Sequence, residues 1–151
     1  MNKAYLTPLR ISRYKRDFPA TCPMCTQDTG TFFHLIWQCT KVQAFWEQVV
    51  KFLHDKMGSP ITLQPKPCLL GIFPDVGINK SLTVFLHETL FIARKVIARV
   101  WMRPEPPELS HWLAEVNSVL PYKKLVYSHR GCPAKYEKIW GKWLNSSATC
   151  T

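Results

Sequence analysis

Three cysteines and a histidine, spaced as Cys22-x2-Cys25-x8-His34-x4-Cys39, restrict this chain more than any other feature of its sequence. Three soft thiolates and one imidazole suit a tetrahedral zinc ion, and four protein ligands leave no open position for a catalytic water. The spacing predicts one structural Zn2+ held by Cys22, Cys25, His34 and Cys39 in a knuckle near the N-terminus. It also sets a geometric condition. On an unbroken α-helix, residues five apart lie about 140 degrees apart around the axis, so His34 and Cys39 could not share one metal. A helix expected over residues 32–37 must therefore end before Cys39, and Thr40 is a suitable cap for a new helix there.

Two other readings of the cysteines compete with this one. Buried, inert thiols are common, and a Cys-x-x-Cys pair at a helix N-terminus can exchange disulfides. The redox reading needs a strand before the pair and a helix starting at its first cysteine. Instead Pro19 and Pro23 flank the pair, and no alternation of strands and helices follows. His54, deep in the helix after Thr40, is expected to be solvated or partly buried, and Cys68, Cys132 and Cys150 lack paired spacing and read as ordinary thiols.

The rest of the chain reads as an all-α domain. Pro8 suits the first turn of a helix running to about Arg16. Thr40 and Gln43 stand in capping-box spacing ahead of an apolar stripe (Val42, Phe45, Trp46, Val49, Leu53, Met57) that Gly58 stops. Asn79 is a plausible N-cap for a long central helix over 79–103, next to Pro104. Pro107 can open another helix with Leu109, Trp112, Leu113, Val116 and Leu120 on one side, followed by a short separate piece over 122–130. Pro133 begins the last helix, whose apolar side is Tyr136, Ile139, Trp140, Trp143 and Leu144, before a fraying tail at 145–147. The Pro-rich stretches at 59–74 and 104–107 read as punctuation. The organisation expected is a basic N-terminal helix (1–20), the knuckle with its helix (21–58), and a helical C-terminal region (59–151) packed with the knuckle as one domain.

Charge suggests the partner. The 151 residues carry 20 Lys and Arg against 10 Asp and Glu, a formal charge of +10. It is polarised to the ends: residues 1–16 hold five cations and no acid, and from Ser118 onward six lysines and arginines face only Glu137. Such a field favours polyanions. Arg10, Arg13, Lys15, Arg16, Lys123, Lys124 and Arg130 are the expected phosphate contacts. Tyr5, Tyr14, Tyr122, Tyr127 and Tyr136 could stack unpaired bases. Lys95 and Arg99, one helical turn apart, should form an exposed strip on the long helix. The sequence has no signal-peptide core and no apolar run near the ~18 residues that span a bilayer. A reducing compartment, cytoplasmic or nuclear, is expected, with no membrane partner and no small-molecule substrate.

Together, Cys22-x2-Cys25, Gly30-Thr31-x2-His34-x2-Trp37-x-Cys39 and Gln43-x-Phe45-Trp46 resemble the zinc-binding region that follows reverse transcriptase in LINE-type (non-LTR) retrotransposons. Downstream, Leu69-Leu70-Gly71-Ile72-Phe73-Pro74, the helix end Ala98-Arg99-Val100-Trp101, and Pro107-x4-Trp112 are similar to vertebrate elements of that group, so the resemblance spans residues 6–144. It implies an accessory segment that helps hold the element's RNA, beside an upstream polymerase domain. Met1 is then either an internal methionine of a longer element copy or the start of a truncated or captured reading frame. No Tyr-x-Asp-Asp motif and no paired aspartates occur, so the chain is not expected to be an enzyme by the two-metal route. The leading expectation is a noncatalytic RNA- or single-strand-binding segment. The alternative is a structural packing or protein-interaction remnant of a retroelement polyprotein, which should expose a large apolar patch.

Overall fold

The computed structural model describes residues 6–74 and 77–146. Within them the regular elements are all helices, beside a single isolated antiparallel bridge between Thr21 and Thr29. The α-helices are α1 (Pro8–Ser12), α2 (Thr40–Met57), α3 (Pro65–Leu70), α4 (Lys80–Val100), α5 (Leu109–His129) and α6 (Pro133–Leu144), and a π-helical turn spans His34–Gln38. No helix among these residues is long and apolar enough to cross a membrane. Tyr5, Cys150 and the tail from Ser147 lie outside the described residues.

Helix α2 forms where the apolar stripe predicts. Val42, Phe45, Trp46, Val49, Leu53 and Met57 are buried, and Gly58 ends the helix in a left-handed conformation (φ 66°), its N–H bonded to the His54 carbonyl at 3.1 Å. It begins at Thr40 as expected, but its capping differs. Cys39, not Thr40, is the N-cap, and the Gln43 side chain donates to the Trp37 carbonyl at 2.7 Å instead of closing a capping box.

Helix α4 is central, packing against α2, α3, α5, α6 and the π turn. Asn79 caps it as expected, its side-chain oxygen accepting from the Leu82 N–H at 2.8 Å, but the helix ends at Val100 and not near Arg103. Around it, Phe52, Phe85, Trp112, Trp140 and Trp143 form a ring cluster with centroids 5.1 to 6.0 Å apart. Burying an indole strands its N–H unless an acceptor is supplied. Trp112 Nε1 donates to the Thr89 carbonyl at 2.9 Å, and Trp143 Nε1 to Asn117 Oδ1 at 2.7 Å. No buried side-chain nitrogen or oxygen among the described residues lacks a partner.

Three further expectations are corrected. The first helix stops at Ser12, well short of Arg16. Residues 65–70, read from sequence as punctuation, form α3: Pro65 opens it and left-handed Gly71 (φ 67°) ends it. The expected break after Leu120 does not occur, because α5 runs from Leu109 to His129 through Pro121. A proline inside a helix removes one backbone bond and presses on the preceding turn, at a cost of about 3 kcal/mol. Contacts on both sides hold the helix across it. Leu120 is buried, Lys123 pairs with Glu88 of α4, and the Tyr127 ring packs on Tyr136 of α6 at 6.3 Å.

Pro121 is exposed, so Pro121→Ala restores the missing bond without leaving a cavity. Because alanine also frees the unfolded chain, the expected net gain is about 1–2 kcal/mol, read as a higher urea midpoint at unchanged slope.

Candidate metal centre

The first two cysteines are set by a tight loop. Cys22 N–H donates to the Asp28 carbonyl at 2.8 Å, Gly30 N–H to Ala20 at 2.6 Å, and Thr26 N–H to Cys22 at 2.9 Å. These bonds and the Thr21–Thr29 bridge fold residues 20–30 back on themselves. The reversal puts Thr26 at φ 57°, a left-handed conformation uncommon for a β-branched residue. Gly30 has a steric duty: a Cβ there would lie 2.7 Å from Pro8 Cγ. Pro8 is buried against it, and the Leu9 N–H donates to the Gly30 carbonyl at 3.3 Å, so α1 is seated on the loop.

The second pair of ligand atoms comes from the π turn. Thr31 caps its start, its hydroxyl accepting from the His34 N–H at 3.1 Å. The Cys39 N–H then bonds back to the His34 carbonyl at 2.8 Å, five residues away. Closing a turn over five residues brings His34 and Cys39 one above the other, where an α-helical turn would hold them on different sides. The helix breaks at Cys39, whose ψ of 130° sends the chain into α2. Two α2 side chains satisfy the carbonyls this geometry leaves open: Trp46 Nε1 donates to Ile36 at 2.8 Å, and Gln43 to Trp37.

The four expected residues are thus brought together, with their ligand atoms all within 4.8 Å of one another. Cys22 Sγ lies 3.8 Å from Cys39 Sγ, and Cys25 Sγ 3.3 Å from His34 Nε2. In a tetrahedral zinc site, bond lengths near 2.3 Å to sulfur and 2.0 Å to nitrogen imply edges of about 3.8 Å and 3.5 Å. The donor set therefore fits a metal in type and number, and the two pairs lie close to these edges. Cys22, His34 and Cys39 are 1%, 4% and 0% exposed, and Cys25 is half-buried at the rim. All five cysteines among the described residues are free thiols.

The two members of the Cys-x-x-Cys pair are electrostatically unlike. Burial, only partly offset by the backbone amides of Cys25 and Met24, pushes the Cys22 thiol up from 9.0 to about 11. Partial burial acts in the same sense on Cys25. There the Gln27 and Asp28 amides, with the His34 ring and Cys22, outweigh it and bring the thiol down to about 7.

The other candidate groups fall elsewhere. His54 is exposed, its Nδ1 3.2 Å from Asp55, and takes no part in the cluster. Cys68 is alone and buried, pushed up to about 11 by that burial, and half-buried Cys132 precedes α6. Arg10, Arg13, Lys15 and Arg16 are all exposed on α1 and the turn after it, beside the knuckle loop. Lys124 and Arg130 are exposed in the C-terminal part of α5 and just after it, and α5 packs on α2, α4 and α6. Lys123 is half-buried and engaged with Glu88, which weakens its candidacy as a phosphate contact. Tyr14 and Tyr122 are exposed, whereas Tyr136 is buried and cannot offer its face to a base. Lys95 and Arg99 are both exposed as expected, Arg99 while paired with Glu115. No protein-family model matches the chain.

The difference between Cys22 and Cys25 predicts a reactivity order. In metal-free protein at about pH 7.5, a thiol titrating near 7 is mostly thiolate and one near 11 is almost wholly protonated. Iodoacetamide should therefore alkylate Cys25 well before Cys22, as read by peptide mass spectrometry. Modification of Cys22 first would contradict the geometry.

Proposed function

We propose that this chain is a noncatalytic nucleic-acid-binding segment whose knuckle is closed by one zinc ion on Cys22, Cys25, His34 and Cys39. The observation that carries the reading is the meeting of four soft and borderline donors within 4.8 Å of one another, with an exposed cationic segment seated on the same loop. Bound by four protein groups, zinc acts as a cross-link between the loop and the π turn. The chain's own residues supply the remaining chemistry. Arg10, Arg13, Lys15 and Arg16 neutralise phosphates, and exposed Tyr14 offers a ring to an unpaired base. Lys124 and Arg130 are further exposed cations, about 120 degrees apart around the axis of α5. The ligand proposed is RNA or another single strand, in the cytoplasm or nucleus. The order of the anchor residues supports an origin at the C-terminal end of a LINE-type reverse transcriptase.

Metal content tests the first half. Protein purified without chelator should carry one zinc per chain by atomic emission, and Cys25→Ser should lose it. The Trp112–Trp143 bundle lies outside the knuckle, so helicity from α4 to α6 should persist in that variant. A zinc-free native protein would remove the metal assignment.

Filter binding tests the second half. Affinity for a single-stranded RNA should fall steeply with salt, and Arg13→Ala with Arg16→Ala should lower the slope by roughly 0.7 for each phosphate no longer neutralised. Binding no better than that of a neutral control protein, with no salt slope, would remove the nucleic-acid reading and leave the zinc site untouched.

A further inference from the structure

A groove of about 530 Å³ opens between the π turn, α3 and α4. Phe32, Phe33, Leu69, Leu70, Phe91 and Trp101 supply most of its wall. Phe33 is 44% exposed, Leu70 69% and Phe91 56%, so large apolar side chains from three separate elements meet water in one place. Contiguous surface of this kind is unfavourable unless something covers it. Arg94 and Lys95 are the charged residues of the lining, and no carboxylate joins them. Arg94 is held in place: its Nη1 donates to the Cys68 carbonyl at 2.8 Å, and its guanidinium lies 5.8 Å from the Phe91 ring centroid. Lys95, one residue on, is exposed.

We propose that this groove receives an amphipathic helix of a partner protein, one that presents large apolar side chains on one face and carboxylates beside them. The walls are helices, and the cleft between them suits helix-in-groove docking, in which side chains at i, i+3 or i+4, and i+7 enter the apolar floor. The sign of the flanking charge follows from Arg94 and Lys95. A second copy of this chain is a poor occupant, because a two-fold interface made from this lining supplies no carboxylate to meet Arg94 and Lys95. Phe33 and Phe91 could stack bases, but exposed Leu70, with Leu69 and Ala98, makes much of the lining aliphatic, which suits apolar side chains better than base faces. Docking in the groove is independent of nucleic-acid binding at the basic segments.

The test is selection of a displayed library of random peptides, each of about 16 residues or roughly four helical turns, on the full 151-residue chain. Enriched peptides should share the apolar i, i+3/i+4, i+7 pattern with Asp or Glu alongside. By fluorescence anisotropy, Leu70→Glu and Phe91→Glu should each weaken them by about tenfold or more. Lys95→Glu should weaken the acidic peptides and strengthen versions with lysine in place of the flanking acids. That exchange is a gain a misfolded variant cannot give, so it separates recognition from damage to the fold. Absence of enrichment, enriched peptides without carboxylates, or affinities unmoved by all three variants would overturn the proposal. So would concentration-dependent self-association abolished by Leu70→Glu, which would assign the groove to a second copy. Displacement of the peptides by single-stranded poly(U), with loss of poly(U) binding in Phe91→Glu, would overturn it too and assign the groove to nucleic acid.

Discussion

One backbone hydrogen bond, from the Cys39 N–H to the His34 carbonyl, governs the geometry of the knuckle. It turns a stretch that would otherwise be α-helical into a wider turn, and only then do the imidazole and the third thiol point to one side. A π turn is a poorer use of backbone than an α turn and persists where surrounding contacts enforce it. Here the enforcement comes from α2, through the Trp46 indole and the Gln43 amide on the turn's last carbonyls. The site is therefore not a loop attached to a helical protein. Its second half is shaped by the helix that follows, and Trp46, fully buried beside Trp37 with ring centroids 5.7 Å apart, belongs to both.

The remainder of the core depends less on the site. Trp112, Trp140 and Trp143 are fully buried there, and Trp112 and Trp143 reach acceptors in α4 and α5, outside the knuckle. The same helix α4 that receives the π turn carries this cluster on its other contacts, so it is the element through which knuckle and bundle communicate. Two features with different physical origins, a ligand set and an aromatic core, are thus joined by one helix.

How much is legible from sequence follows from which signals are local. The four ligand residues are readable because metal chemistry is tied to residue type and spacing, and the impossibility of an unbroken α-helix between His34 and Cys39 can be stated without coordinates. How that conflict is resolved is not readable, since the π turn depends on side chains of α2 that meet it only in the folded chain. The helix boundaries set by Asn79, Gly58 and Pro133 are legible because each cap acts on its nearest turn. Pro121 misleads because its local preference is overridden by packing on α4 and α6. Helix α3 escapes notice although Pro65 at its start and Gly71 at its end form a recognisable pair; three prolines between 60 and 67 hide six helical residues. The groove is invisible to sequence, because Phe33, Leu70 and Phe91 are far apart in the chain.

The notch in which Pro8 sits against Gly30 bears on more than local packing. A five-residue helix cannot hold itself together in water, and the segment after it has little core of its own. Its order is borrowed from the loop, through a contact so close that no side chain other than hydrogen fits. The backbone that carries Arg13, Lys15 and Arg16 is thereby held in place, with their side chains exposed. Orientational freedom that a floating basic tail would surrender on meeting an anion has already been surrendered during folding, and a ligand that suits their arrangement meets a correspondingly smaller entropic penalty.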